Sequence, residues 1–181
     1  MPRPYLIRPT EAYRQSYLDA WDEGFILGGD RPGRGIDPHS DFQAHLEALD
    51  HTGQGVFIYK DKPFATVPSL AYWLVNGSQF LGAISIRSRI TSPILAHWGG
   101  HIGYGIRPSA QGRGHGKLQL ALGLDICRGI GIAIARISCR TDNLASRKVI
   151  EANGGIFLRE SMMDGVPLLL FEHILIPAPT L

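Results

Sequence analysis

The sequence predicts an α+β fold, a strand and two helices followed by antiparallel strands and then alternating helices and strands, laid out around a mixed sheet. Three observations carry this prediction. Apolar runs on either side of Asn76-Gly77 form a hairpin signal, because asparagine and glycine tolerate the positive φ that a tight strand reversal needs. A second turn signal, Asp164-Gly165, separates 156–160 from 166–175. Between these hairpins, strand-like and helix-like runs alternate around a glycine-rich turn at 112–116, the pattern of a strand feeding a helix.

Taken in order, Tyr5-Leu6-Ile7-Arg8 reads as a first strand. Residues 10–24 read as a helix, with Tyr13, Tyr17, Ala20, Trp21 and Gly24 at three- and four-residue spacing. Gly28 to Gly35 has the composition of a loop. Asp37-Pro38 reads as a cap and first-turn proline, opening a helix that buries Phe42, Leu46 and Leu49 and ends near Gly53. Residues 54–68 are ambiguous, with Val56–Tyr59 as a short strand. Leu70–Val75 and Phe80–Ile90 form the hairpin, and 101–106 the next strand. A helix follows from Lys117 to Gly129, then a strand at 132–139, a helix behind Asp142-Asn143, and the last hairpin. Pro177-Ala178-Pro179 ends the fold in a tail.

The 181 residues suit one compact domain, 1–181, with no internal repeat or linker. With 44% hydrophobic and 19% charged residues and a net charge of +2, nothing favours bulk binding to nucleic acid or membrane. Cys127 and Cys139 lack metal or disulfide-framework spacing, and no apolar signal core or bilayer-length run occurs. A reducing, cytoplasmic location is the expectation. Most basic side chains are arginines, which suit planar phosphate or carboxylate groups.

The stretch Arg107-Pro108-Ser109-Ala110-Gln111-Gly112-Arg113-Gly114-His115-Gly116-Lys117 is the most informative about function. Its glycines let the backbone turn sharply and approach a ligand. The helix start behind them offers unpaired N–H groups and a positive dipole end, which together attract anions. Arg113 and Lys117 add full charge. The nucleotide P-loop spacing fails, since Gln111 stands five positions before Gly116 and Leu118 follows Lys117. The dinucleotide fingerprint fails as well, because Gln119 occupies the third glycine's position.

What remains, Gln111-x-x-Gly114-x-Gly116, resembles the Q/R-x-x-G-x-G/A loop of the GNAT acetyltransferases. The flanks are similar too. His101-Ile102-Gly103-Tyr104-Gly105-Ile106-Arg107-Pro108 resembles that family's fourth strand, and 132–139 its fifth. Asp142 through Phe157 resembles its N-x-x-A/S…G-F segment. The resemblance covers about residues 70–176, and Tyr72-Trp73-Leu74-Val75 with Gly82-Ala83-Ile84-Ser85 is similar to a subgroup of bacterial predicted acetyltransferases. It implies a GNAT-like acyl-CoA N-acyltransferase fold, a mixed, mostly antiparallel central sheet flanked by helices, whose fourth and fifth strands splay apart. It also implies acetyl-CoA as cosubstrate, an amine acceptor, no metal, and the homodimer common among relatives.

For the cofactor, the resemblance implies backbone N–H contacts to pyrophosphate from Gly112, Arg113, Gly114, His115, Gly116 and Lys117, with Gln111 a further cofactor-binding residue. Tyr104, Gly105 and Ile106 would pair with pantetheine amides as an added strand does, and the Ile106 N–H would polarise the thioester carbonyl. Asn143 and Ser146 occupy positions of further ligand contact. Asp142 or Asn143 equally reads as a helix cap.

The proton-transfer residues depart from the family pattern. Where many relatives place a tyrosine acid, seven residues past the asparagine, this chain has Ile150. Cys139 reads as core. For the base, His101 stands about where some relatives have a glutamate, and a histidine suits proton removal near neutral pH. It reads equally as a half-buried structural histidine. His97 lies four residues earlier, near the same rim, and His115 reads as solvated.

On the acceptor side the candidates are Tyr13, Tyr17, Trp21, Asp22, Glu23, Phe25, Trp73 and the Met162-Met163-Asp164 turn. Carboxylates and aromatics there suit a cationic amine, although the Tyr and Trp residues also read as helix-packing core. The leading expectation is an N-acetyltransferase working by direct attack of a primary amine on the thioester. The alternative is a catalytically impaired CoA-binding sensor or interaction module.

Overall fold

Asn76-Gly77 does announce a hairpin, displaced by one residue. β4 (Ser69–Asn76) and β5 (Gln79–Arg87) pair antiparallel with Asn76 opposite Gln79, so the turn residues are Gly77 and Ser78. Gly77 takes φ 58°, a conformation that suits glycine. β5 ends at Arg87 rather than at Ile90. The computed structural model describes residues 3–28, 32–33, 35–50, 56–59, 62–65, 67–90, 95–163 and 165–175. The proline tail and Gly53 lie outside them.

β1 (Tyr5–Ile7) lies antiparallel on β4, and β6 (Ile102–Ile106) lies antiparallel on β5. One sheet therefore runs β1-β4-β5-β6. A second holds β7 (Ile134–Arg140), β9 (Val166–Ile174) and β8 (Ile156–Met163) in the order β7-β9-β8. The final hairpin turns at Gly165, φ 82°, with Met163 opposite Val166. β2 (Val56–Tyr59) pairs with β3 (Lys62–Ala65) as a separate hairpin. The sequence reading found only the first of these two strands.

The helices sort onto two faces. After a 3-10 turn at Glu11–Tyr13, α1 (Arg14–Asp22) packs with α2 (Phe42–Leu49) over β4 and β5. Asp41 caps α2 by accepting the Ala44 N–H at 2.9 Å. Asp37 instead takes the His39 N–H in the preceding turn, so the helix starts four residues later than Asp37-Pro38 announced. Phe42 and Leu49 are buried as expected. Tyr17 stacks on Trp73 at 4.7 Å and meets Phe80 edge-on at 5.0 Å. Such pairs add about 0.5–1.5 kcal/mol each beyond their burial.

The opposite face carries α3 (His115–Gly129) and α4 (Leu144–Ala152) over a core that includes Ile84, Leu120, Ile137, Ile150 and Phe171. A Cβ on Gly123 would strike the Ile84 side chain, so glycine lets α3 lie close on β5. α3 starts at His115, two residues earlier than expected. Residues 95–99 form a π-helical turn that the sequence reading did not anticipate.

β6 and β7 stand side by side without forming a ladder. Among the described residues their one backbone–backbone link is at the start, where the His101 N–H donates to the Arg136 carbonyl at 2.7 Å. Further along, Cys139 lies near enough to Tyr104 to add to the upward shift of the Tyr104 phenol. Residues 101 and 104 thus face 136 and 139, a parallel course that makes the whole arrangement mixed. From that link the two sheets diverge.

Candidate active site and cofactor cleft

The divergence of β6 and β7 leaves a wedge, and the elements around it decide what it can hold. Register fixes which backbone groups of β6 face it. Arg87 N–H bonds to the His101 carbonyl and Arg107 N–H to the Leu81 carbonyl. Antiparallel pairing alternates, so the His101 carbonyl, the amides of Gly103 and Gly105 and the Arg107 N–H turn toward β5, while Ile102, Tyr104 and Ile106 turn their amides toward the wedge, as the His101 N–H turns toward Arg136. This corrects one expectation. Gly105 cannot pair with a pantetheine amide, because its N–H and C=O belong to the β5 ladder opposite Ala83.

Gly105 serves closeness instead. A Cβ there would fall on the Ile26 carbonyl oxygen and lie 3.3 Å from the Phe25 ring. The loop after α1 therefore crosses the face of β6 at Gly103 and Gly105, and Gly28 N–H donates to the Tyr104 carbonyl at 3.3 Å. The Ile106 carbonyl accepts the Gln111 side-chain amide at 3.1 Å.

Past Ile106 the chain makes a 3-10 turn at Pro108–Ala110 and enters the glycine loop. Gly112 (φ 73°) and Gly114 (φ 81°) are both left-handed, with no heavy atom within 4 Å of where a Cβ would stand. Gly114 is the N-cap of α3. Gln111 N–H is engaged with the Pro108 carbonyl, and Leu118 N–H with the Gly114 carbonyl. Between them, the N–H groups of Gly112, Arg113, Gly114, His115, Gly116 and Lys117 find no acceptor among the described residues. Six consecutive donors at a helix start form an anion cradle. Arg113 and Lys117 are exposed on it. At Gly116 a Cβ would press on the Val149 side chain at 3.3 Å, so glycine brings this helix start against α4. Asn153 fastens the same junction, donating to the Lys117 and Val149 carbonyls.

α4 runs along the wedge. Its cap is Asn143, whose Oδ1 accepts the Ser146 N–H at 3.0 Å, while Asp142 pairs with Arg140. Ser146 Oγ lies 2.9 Å from the Tyr104 hydroxyl, bridging the wedge between α4 and β6. Burial pushes the Tyr104 phenol up to about 12 and raises the Cys139 thiol as well. Ile150 is fully buried in the core beneath α4, pressed against Gly155.

His101 occupies the closed end of the wedge. Its Nδ1 accepts the Arg136 N–H at 3.0 Å, which makes Nε2 the protonated nitrogen. Burial, then the charges of Arg136 and Arg87, hold its pKa down to about 4. The ring is therefore neutral near pH 7, and its one lone pair is engaged in joining the two sheets. His97's side chain lies outside the described residues.

The acceptor-side candidates divide. Tyr17, Phe25 and Trp73 are core side chains at 0–1% exposure. Trp21 is half-buried, edge-on to His45 at 5.4 Å. Tyr13 donates to the Gly77 carbonyl, and Asp22 meets His39. Glu23 is gripped by Arg107 and by the N–H and hydroxyl of Ser109, and those bonds hold its pKa down to about 2. Met162 is exposed, and Asp164 lies outside the described residues. Arg87 and the Glu23–Arg107 clamp escaped the sequence reading, because strand pairing and a contact 84 positions apart bring them together.

A family model described as Acetyltransferase (GNAT) domain matches residues 39–156. The chain belongs to the GNAT acetyltransferase family. The fold agrees with solved members. RimL, a ribosomal alpha-N-protein acetyltransferase in complex with coenzyme A, superposes at TM-score 0.62 with 16% identity over 97% of this chain and 96% of that one. yncA from Salmonella typhimurium, with acetyl-CoA, gives 0.61 with 13% identity over 99% and 98%. A ribosomal-protein-alanine N-acetyltransferase from Brucella melitensis gives 0.60 with 17% identity over 94% and 99%. No curated protein sequence matches the chain.

Among the described residues of this GNAT chain, no group of three His, Cys, Asp or Glu side chains could hold a metal ion. None of their helices is long and apolar enough to cross a membrane.

Proposed function

We propose that this protein is an acetyl-CoA-dependent N-acetyltransferase that passes the acetyl group directly to a primary amine. The observation that carries the reading is the row of six N–H groups, Gly112 to Lys117, that find no acceptor among the described residues, opening beside a wedge with the N–H groups of Tyr104 and Ile106 turned into it. Neighbours solved with coenzyme A or acetyl-CoA support the choice of ligand.

Acetyl-CoA supplies the activated acetyl thioester. The loop residues Gly112–Lys117 receive its pyrophosphate, with Arg113 and Lys117 adding charge, and Gln111 holds the loop against β6 through Ile106. Tyr104 and Ile106 offer edge groups to the pantetheine arm, and Asn143 and Ser146 border it from α4. His101 keeps β6 and β7 joined and leaves proton removal from the amine to solvent. Among the described residues no ready acid is offered to the departing sulfur. Ile150 has no proton to give, and a Tyr104 phenol near 12 is a weaker acid than an ordinary thiol near 8.5, so the thiolate leaves to water.

The second reading, a CoA-binding module without catalysis, is favoured by Ile150 and by the engaged lone pair of His101. Thiol release from acetyl-CoA, measured across amines, amino acids and peptides, separates the two. Turnover supports the enzyme, whereas CoA binding with no release for any acceptor supports the module.

A further inference from the structure

Arg87 has no role in the cofactor cleft, yet it is the residue there with the least explanation. Its backbone pairs with His101 across β5 and β6, which puts both side chains on one face of the sheet. That face bears Gly103 and Gly105 and is crossed by the loop at Ile26–Gly28. α3 packs on the opposite face, against Ile84 and Ile86. The guanidinium is drawn well out of bulk water, with part of its surface still reachable. Among the described residues its one side-chain hydrogen bond is a long one, 3.4 Å to the Gly100 carbonyl, and it has no carboxylate partner. Its neighbours do not offset the charge. Arg136 is paired with Glu172 at 2.8 Å, and His101 is neutral.

A guanidinium withdrawn from water without an anion is unfavourable. Beside it, His101 Nε2 carries a proton that no described residue accepts. Together they present a planar fork of donors and one further N–H, the donor set that fits a carboxylate.

We propose that Arg87 and the Nε2–H of His101 seat a carboxylate of the acceptor, so that the preferred acceptors are small amines of amino-acid type. This rests on the acetyltransferase reading, and it adds a substrate class. The acceptor enters from the α1 side with its carboxylate on Arg87, while the cofactor's phosphates lie on the α3 side. Glu172 does not repel the carboxylate, because Arg136 neutralises it.

The test uses the full chain and matched sets of L-amino acids, their amides and their decarboxylated amines, following thiol release from acetyl-CoA. The expected result is kcat/KM at least ten-fold higher for the amino acids, with Arg87→Gln removing the difference while CoA affinity stays within two-fold. Equal rates across a set would overturn the proposal, as would a preference that survives in Arg87→Gln or no amino acid turned over by protein that binds CoA. A second measurement needs no turnover. N-acetyl-amino-acid anions, titrated calorimetrically into the protein, bind at least ten-fold tighter than their amides, and Arg87→Gln removes that margin. Carboxylate preference without CoA binding refutes the acetyltransferase reading alone. CoA binding without carboxylate preference refutes this one alone.

Discussion

His101 and Arg136 are joined twice: the histidine N–H donates to the arginine carbonyl at 2.7 Å, and the arginine N–H donates to the imidazole Nδ1 at 3.0 Å. This pair closes the wedge between the two sheets, and everything the wedge holds depends on where they begin to part.

Removing the ring should therefore act first on stability. His101→Ala leaves the partly buried Arg136 N–H without its side-chain acceptor, at a cost of about 1–3 kcal/mol. The activity–pH profile should keep the wild-type shape, although the rate falls. Urea unfolding and rate profiles from pH 5.5 to 9 check this. Loss of an ionisation near pH 6.5 in the variant, with stability unchanged, would restore His101 as a base.

Acid should weaken the fold earlier than its carboxylates predict. Burial lowers the folded-state pKa of His45, His101 and His173 below the ordinary 6.5. In each case the unfolded chain binds the extra proton more readily, so stability is complete above pH 6.5 and declines below it, for His101 down to about 4. His45 shows why: its Nδ1–H donates to the Ile36 carbonyl and its Nε2 accepts from the Tyr17 hydroxyl, which leaves no site for a second proton. Melting temperatures should hold from pH 7.5 to about 6.5 and fall steadily from there to pH 5. A flat curve over that range contradicts the assignment.

Glu23 contributes in a separate window. Its folded pKa near 2 lies below the ordinary 4.5, so its stabilisation is present above 4.5 and is lost as pH falls toward 2. Glu23→Gln should cost about 1.5–3 kcal/mol at neutral pH, the range for bonds to a charged group. It should also loosen the loop after α1 from the turn at Ser109. Chemical unfolding measures the first effect, and protease susceptibility near Phe25–Gly28 the second.

Restoring the family's tyrosine should not install a proton donor. Ile150 is fully enclosed, against Gly155 and within the core that includes Phe171. Ile150→Tyr overpacks that core, costing about 1–3 kcal/mol, without raising the turnover number. Faster turnover in the variant would show that position 150 reaches the departing sulfur.

Much of this was legible in the sequence because it is local. The left-handed turns at Gly112 and Gly114, the start of α3 behind them and both hairpins follow from residue types at fixed offsets. The Asn143 cap was one of two equal readings, and only its bond to Ser146 N–H separates it from Asp142. What was not legible depends on partners far along the chain. His101 became a clip because Arg136 lies 35 positions away, and Arg87 mattered only once β5 and β6 were in register. Asp37 looked like a cap because Asp41, four residues on, carries the same chemistry. Gly105 looked like a pantetheine partner until the ladder alternation turned its amide toward β5.

The central claim, that the loop amides from Gly112 to Lys117 hold coenzyme A, is tested most directly by calorimetric titration of CoA into three proteins. These are the wild type, Gly114→Asn, which tolerates the left-handed φ of 81°, and Gly114→Glu, which adds bulk and negative charge to the cradle. The wild type should bind one CoA per chain, Gly114→Asn should keep measurable affinity, and Gly114→Glu should lose it by 100-fold or more while remaining folded. A folded Gly114→Glu protein that binds CoA as tightly as the wild type would contradict the placement.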